Sequence, residues 1–352
     1  MLHASHHTMK PLFFSLILLL MSHKCLGDHV LTYLAVAVSI LLLVGMVTHT
    51  QNGLSDGFGY GVLVTGCDSG FGHHLAKKLD GMGFTVFAGC LCPEGPGAQR
   101  LVDEGSERMK ILQLDVTKEE HVKLARDFVK SNLPEKGLYA VVNNAGVSDW
   151  GEIEWSTAQD FQRMVDVNLV GPIRVTIAFL SMVRATKGRM LFVSSIFSFF
   201  NCLNMGAYSV SKRGLEAFAD CLRVEMASFG VKVSIIQPGN FGAATNILSK
   251  KTSQDIWNEF DGARKLTFSQ KYIEKACDYF QSTCVLGFKD STMVIDAMLH
   301  AITSAIPRTR YLLVSSMDWC FFYFFPYLPT YVTDAVFNLS SMYHKREVML
   351  YS

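Results

Sequence analysis

Tyr208 and Lys212 stand four residues apart, Ser195 lies thirteen residues before Tyr208, and Thr65-Gly66-Cys67-Asp68-Ser69-Gly70-Phe71-Gly72 comes far ahead of all three. These residue types suit hydride transfer at an alcohol carbon: a phenol that can be made acidic, a cation to make it so, and a hydroxyl to hold the reacting oxygen. Residues four apart on a helix share a face, so Tyr208 and Lys212 project together. A free phenol has a pKa of about 10 and is a poor base at neutral pH. The Lys212 ammonium, joined by a positive nicotinamide ring, would favour the phenolate and lower that value. Tyr208 is then expected to accept the proton in alcohol oxidation and to return it in the reverse reaction. Ser195, in Val193-Ser194-Ser195, is expected to hydrogen-bond the alcohol or carbonyl oxygen of the substrate, beside Tyr208. Asn168, in Asp166-Val167-Asn168-Leu169, is placed to hold a water that relays the proton through Lys212 to solvent.

The glycine-rich segment has the context a dinucleotide needs. An apolar run, Tyr60-Gly61-Val62-Leu63-Val64, reads as a buried strand before it, and His73 to Leu79 reads as a helix after it. A strand that turns sharply into a helix presents free amide N–H groups to a pyrophosphate, and side chains at the turn would block the approach. That accounts for Gly66, Gly70 and Gly72, with Thr65, Asp68, Ser69 and Phe71 completing the loop. The next strand, Thr85-Val86-Phe87-Ala88, ends in Gly89-Cys90-Leu91, without the acid that often binds a ribose. No arginine or lysine sits there or in the glycine loop to meet a 2′-phosphate, and Asp68 would repel one, so NAD is expected rather than NADP. Asp115-Val116, closing the third strand, is placed to hold the adenine, although Asp115 could equally cap the helix start that follows. In Asn143-Asn144-Ala145-Gly146, after the fourth strand, Asn143, Ala145 and Gly146 should face the ribose.

The elements that must position these groups alternate along the chain. Short β-rich runs at Lys110 to Leu114, Ala140 to Val142, Arg189 to Val193 and Lys232 to Ile236 each follow a longer amphipathic stretch. That alternation predicts an α/β fold, a parallel sheet with helices on both faces. Residues 240–281 are polar and lack strand signals, as a helical lid over a substrate cleft would be. With 32 basic against 31 acidic residues and no basic run beyond Lys250-Lys251, nothing marks a nucleic-acid surface. Nine cysteines show no Cys-x-x-Cys spacing, so neither a zinc site nor a disulfide framework is implied, and no metal is expected.

The apolar excess, a mean hydropathy of +0.23, is concentrated at the ends. Val30 to Val47 carries no charge and is long enough to span a bilayer as a helix, while Leu12 to Met21 is too short and resembles a signal-peptide core. The expected division is a membrane-targeting region 1–50, a linker 51–59, a cofactor-binding domain 60–310 and an aromatic segment 311–352. The dense run from Trp319 to Pro329 suits either a membrane interface or a hydrophobic flap that closes the pocket. Asn338-Leu339-Ser340 matches a glycosylation acceptor, a pattern too common to place the segment.

In order and spacing, Thr65 to Gly72, Asn143 to Gly146, Asn168, Ser195, Tyr208, Lys212 and Pro238-Gly239 resemble the short-chain dehydrogenase/reductase pattern over roughly residues 60–311. The resemblance implies one Rossmann-type, doubly wound domain with a seven-stranded parallel sheet. It further implies NAD(P)-dependent hydride transfer between an alcohol and its ketone or aldehyde, with Asn168, Ser195, Tyr208 and Lys212 as the catalytic tetrad and Pro238-Gly239 beside the nicotinamide. Association of identical chains is expected as well, with membrane lipid as a further partner. Gly66 to Gly72 and Phe87 to Leu91 are similar to the membrane-associated branch that holds hydroxybutyrate, retinol and 17-beta-hydroxysteroid dehydrogenases. Stretches such as Ala219 to Arg223 and Val294 to Ala297 look most like its hydroxybutyrate members.

One departure separates substrate from kinship. A buried carboxylate needs a cation, expected in the hydroxybutyrate enzymes just before the tyrosine, yet Ile196 to Ala207 holds no basic residue. Phe197, Phe199, Phe200, Leu203 and Met205 occupy it instead, which suits a steroid or retinoid. Arg264, Lys250 or Lys251 from the lid could supply the missing cation. Kinship favours the mitochondrial inner membrane, whereas the arginine-free, apolar start of the chain favours the endoplasmic reticulum. A silent cofactor-binding scaffold of the same fold is the rival from another class, and the intact tetrad opposes it.

Overall fold

The computed structural model describes residues 56–200, 203–245, 247 and 251–339, with Tyr33 and residues 37–39. The chain divides into two units, Met1–Gly53 and Leu54–Ser352. In the first, Tyr33 and residues 37–39 are helical; the rest of the apolar block 12–21 and of the span 30–47 lies outside the described residues.

The second unit is built on seven parallel strands: β1 (Gly61–Thr65), β2 (Thr85–Cys90), β3 (Met109–Gln113), β4 (Leu138–Asn143), β5 (Arg189–Val193), β6 (Lys232–Pro238) and β7 (Arg310–Leu313). Their order is β3-β2-β1-β4-β5-β6-β7. The sheet therefore winds outward both ways from the β1–β4 seam, and the crevice beyond the strands' C-terminal ends is the place such sheets bind ligands. Leu63 of β1 lies beside Phe87 of β2 and Val141 of β4. All three are fully buried, as near-continuous apolar strands covered on both faces require.

Alternate side chains go to opposite faces. Val62 and Val64 pack with α1 (Gly70–Gly81), α2 (Pro96–Glu104) and α10 (Thr292–Thr303). Leu63, Phe87 and Val141 pack with α3 (Glu119–Ser131), α5 (Gly171–Ala185) and α6 (Gly206–Met226). Between α4 (Ala158–Val165) and α5 runs one π-helical turn, Asp166–Val170. The continuous stretch Ala158–Ala185 is long and apolar enough to cross a membrane. Val175, Phe179 and Val183 are fully buried against the sheet, so it is a core helix.

The segment after Gly239 is helical, with α7 (Ser253–Glu259), α8 (Gly262–Thr267) and α9 (Gln270–Val285). Its polar sequence hides an aromatic spine: Phe260, Phe268 and Tyr272 close around Trp155, and the Tyr272 hydroxyl donates to Glu152. Past β7 come α11 (Trp319–Phe324) and α12 (Thr330–Leu339). The end of the expected linker is packed rather than free, since Gly57 is buried and its N–H donates to Met82 O at 2.9 Å.

Candidate active site

A cleft of 1180 Å³ opens beyond the C-terminal ends of the strands. Of the residues expected to form the site, Gly66, Asp68, Ser69, Gly70 and Phe71 line it from the β1 loop, and Asp115 and Val116 from the end of β3. Ala145 and Gly146 line it past β4, Pro238 and Gly239 past β6, and Ser195, Tyr208 and Lys212 converge between these two groups. Thr65, Gly72, Asn143 and Asn168 do not line it, and each has a different occupation.

Thr65 ties two strand ends together: its hydroxyl oxygen accepts the N–H groups of Asn144 at 3.0 Å and Ala145 at 2.9 Å. Gly72 meets no open approach to a ligand. A Cβ there would stand 2.3 Å from Gly66 O and 2.6 Å from Asn144 Nδ2, so this glycine lets α1 press on the loop. Gly66 and Gly70 have φ of +70° and +60°, the left-handed conformation glycine enters without strain. Asn143 points inward, its Nδ2 donating to Thr176 Oγ1 at 3.3 Å. Its neighbour Asn144 faces the cleft and donates Nδ2 to the carbonyls of Thr65 and Gly66, at 2.8 and 3.1 Å.

Asn168 sits in the π turn, fully buried. Its Oδ1 accepts Val147 N–H at 2.9 Å, and its Nδ2 donates to Val147 O at 2.8 Å and to Ser211 Oγ at 3.0 Å. One donor hydrogen thus ties Asn168 to the loop past β4 and the other ties it to Ser211 of α6. Asp68 is committed as well. Its two oxygens accept the backbone N–H groups of Leu91 and Cys92, at 2.8 and 2.9 Å, tying the glycine loop to the end of β2. Asp115 accepts from Thr117 N–H at 2.9 Å and Thr117 Oγ1 at 2.7 Å. Burial pushes its carboxyl up, but these bonds outweigh that and leave it below its ordinary value. It closes a turn ahead of α3, whose N-cap is Lys118, and lines the cleft at the same time.

Around Tyr208, burial acts against the lowering that its spacing from Lys212 suggests. Burial lifts its hydroxyl to about 12, against the opposite pull of a hydrogen bond with the Ser195 side chain. The Lys212 amine donates to Val193 O at 2.8 Å and stands over the Tyr208 ring, 5.6 Å from its centre. Burial brings Lys212 down to about 8, with the charge of Glu216 acting the other way. Each group loses hydration of its charged form on burial, which raises the phenol and lowers the amine.

The cleft also takes a cofactor's shape and chemistry. At its floor Ser69, N-cap of α1, makes no side-chain cap bond, so the first-turn amides beside Gly66 and Gly70 have no capping side chain. That is the donor set a pyrophosphate requires.

The substrate end is apolar. Ile196, Phe197, Phe200, Leu203 and Met205 line it; Phe199 does not. Phe280 of α9, from the expected lid, Phe322 of α11, from the aromatic run expected as membrane interface or flap, and Val336 of α12, which the sequence did not single out, complete the wall. Phe200 packs edge-on against Phe321 and Phe322 and tilted against Phe325. The aromatic segment thus turns one side to the cleft, while Phe321 is 41% and Tyr327 77% exposed. Among the described residues the cations lining the cleft are Lys212 and Arg163, and Arg163 Nη2 is paired with Asp149 at 2.6 Å. Arg264 is not among the lining residues, Lys251 pairs with Asp149 at 3.4 Å, and Lys250 lies outside the described residues.

A family model described as short chain dehydrogenase matches residues 61–255. D-beta-hydroxybutyrate dehydrogenase, mitochondrial, of Bos taurus is 38% identical over 285 residues, covering 78% of this chain and 83% of that protein. Retinol dehydrogenase 7 of Rattus norvegicus is 40% identical over 287 residues, 80% of this chain and 88% of its own. For 17-beta-hydroxysteroid dehydrogenase type 6 of Homo sapiens the identity is 40% over 288 residues, 79% and 88% of the two chains. The crystal structure of a short-chain dehydrogenase from Streptomyces avermitilis matches with a TM-score of 0.60 at 25% identity, over 81% of this chain and 97% of that one.

Proposed function

The chain belongs to the short-chain dehydrogenase family, an oxidoreductase acting on CH–OH groups with a nicotinamide cofactor, and from that premise we propose that it oxidises a large lipophilic alcohol, a steroid or retinoid, with NAD. The observation that carries the substrate class is the wall between Ser195 and Tyr208, lined by Phe197, Phe200, Leu203, Met205 and Phe322, where among the described residues the one lining cation besides Lys212, Arg163, is already paired. An apolar ligand gains by leaving water there, whereas a small carboxylate would lose its hydration without a free partner.

Bound along Gly66 to Phe71, Asp115-Val116, Ala145-Gly146 and Pro238-Gly239, the cofactor supplies the acceptor for the hydride leaving the alcohol carbon. Ser195 holds the alcohol oxygen by its hydroxyl. Tyr208 takes the alcohol proton as the carbon–oxygen bond gains carbonyl character, and Lys212, lining the cleft, would hold the cofactor's ribose and balance the charge on Tyr208. Asn168 keeps Val147 and the β4 loop in register beneath them. Asp68 supports NAD over NADP, since its carboxylate, fixed by Leu91 and Cys92, brings a negative charge to the end of β2 where a 2′-phosphate would need a positive one.

A second reading, 3-hydroxybutyrate, draws on the 38% identity to the bovine enzyme and on Arg163 at the cleft wall. It requires Arg163 to leave Asp149 for the substrate carboxylate. Purified protein offered 3-hydroxybutyrate, a 17-beta-hydroxysteroid and retinol, each under NAD and NADP, tests the choice by NADH or NADPH formation. Turnover of 3-hydroxybutyrate alone, abolished by Arg163→Ala, would overturn the lipophilic reading. The uncharged run Val30 to Val47 supports a membrane anchor for this enzyme, and membrane flotation of a chain deleted before Gln51 tests it.

A further inference from the structure

We propose that Glu216 is a positioning residue of this active site, its carboxylate gripping the Ser195 turn from both sides, through Ser194 and Ser198. Tyr208, Lys212 and Glu216 follow one another at four-residue steps on α6, so they form one stripe facing the ends of β5 and β6. The first two belong to the proposed chemistry, and the inference rests on that dehydrogenase reading. Glu216 does not line the cleft.

Its side chain is only 12% exposed and its oxygens are crowded with donors. Oε1 accepts from Ser194 Oγ at 2.7 Å, from Ser198 Oγ at 2.6 Å and from Gln237 Nε2 at 2.9 Å. Oε2 accepts from the same Gln237 nitrogen at 3.1 Å and faces Arg310 Nε of β7 at 3.5 Å. Ser198 has one hydroxyl hydrogen and two acceptors in reach, Glu216 and Ser195 O at 2.8 Å, and the charged, nearer one takes it. One carboxylate therefore links β5's end, the turn past it, β6 and β7.

The consequence falls on Ser195. Its hydroxyl accepts Phe197 N–H at 3.3 Å and hydrogen-bonds the Tyr208 side chain, so its direction depends on the turn from Ser194 to Ser198. A turn held by neutral waters would leave that hydroxyl free to swing; a charge-assisted clamp on both flanks does not. Glu216 also acts through space on Lys212, where its charge opposes the effect of burial and favours the ammonium. The groups facing this pair are Tyr208 and the Val193 carbonyl at Lys212, and Arg310 at Glu216, with Asp220 at 2.5 Å from Arg310 and Arg213 reaching Ser198 O at 3.4 Å.

The test compares wild type, Glu216→Gln, Ser194→Ala/Ser198→Ala and Tyr208→Phe as full chains, by kcat, KM and pH profile, and by NADH affinity from fluorescence. Wild-type turnover that Tyr208→Phe abolishes establishes the reading on which the inference stands. Both Glu216→Gln and the double serine variant should then lose about tenfold or more in kcat with KM for the cofactor little changed, as misplacement of a reacting group predicts. Glu216→Gln alone should move the alkaline-rising limb of oxidation, and the pH at which NADH affinity changes, to lower pH; the serine variant keeps the charge and should not. Wild-type kcat in both variants, or a pH limb that stays in place in Glu216→Gln, would overturn the proposal. Should Glu216→Gln fail to fold, unchanged kcat in the serine variant would overturn it alone.

Discussion

Lys212 Nζ lies 5.6 Å from the centre of the Tyr208 ring while its hydrogen bond goes to Val193 O at 2.8 Å. The cation is therefore anchored to the end of β5, over the ring of the phenol. Burial leaves the two groups far from their ordinary values in opposite directions, Tyr208 up to about 12 and Lys212 down to about 8.

That opposition sets the pH dependence. Lys212, at about 8, gives up its proton well before Tyr208, at about 12, so the two side chains together are first short of one proton above about 8. Alcohol oxidation needs the pair short of one proton, because Tyr208 must accept another; ketone reduction needs it full. The rate of oxidation is thus expected to rise with pH through about 8 and level off, and that of reduction to fall over the same interval. Initial rates in both directions across this range check it, and an oxidation rate flat through that interval would refute the pairing.

Tyr208→Phe removes the acid–base group and keeps the ring against Phe197, its edge-on neighbour at 6.1 Å. Turnover should fall by roughly a hundredfold to ten-thousandfold while NADH still binds, as loss of a general acid–base group predicts. Rates and NADH titration on the same preparation separate the two effects.

Gly72→Ala places a methyl group 2.3 Å from Gly66 O, a backbone atom that cannot turn aside. Overpacking of this kind costs about 1–3 kcal/mol. A lower Tm and weaker NADH binding should appear together, since the glycine loop is what must move. A variant with wild-type Tm would show that the loop yields without cost.

Asp68→Asn keeps one acceptor oxygen for Leu91 or Cys92 and removes the charge. The ratio of kcat/KM with NADP to that with NAD should rise roughly tenfold, which corresponds to about 1.4 kcal/mol of repulsion removed. Paired steady-state measurements with the two cofactors check it.

Phe322→Ala opens the apolar wall from the side of α11. Loss of a buried aromatic contact worth about 1.5–3 kcal/mol should lower kcat/KM for a steroid or retinoid about tenfold or more, leaving NADH affinity unchanged. An equal loss with a short-chain secondary alcohol would place the effect elsewhere.

The chain's own pattern was enough for the α/β fold. Apolar runs such as Gly61 to Val64 and Arg189 to Val193 are strands because both faces of the sheet are covered, and that leaves a continuous apolar signature in the sequence. The order of Gly66, Asn143-Asn144, Ser195, Tyr208 and Lys212 likewise announced the reaction, because a helix puts residues four apart on one face wherever it lies. Only the tertiary structure decided between neighbours. Asn143 and Asn144 end the same strand, and adjacent side chains leave opposite faces; nothing local says which one meets the cleft. Gly72 reads as a ligand contact until the carbonyl of Gly66 is seen against it, and the π turn that buries Asn168 leaves no periodicity to find. Phe322 reaches the cleft from more than a hundred residues past Ser195, and Glu216 acquires its meaning from Ser194, Ser198, Gln237 and Arg310, which only the parallel sheet brings together. Types and spacing along one element fix what chemistry is available. Which groups lose their water, and which charges face them, depends on packing between elements, and that is why spacing along one helix does not reveal the burial that lifts Tyr208 and lowers Lys212.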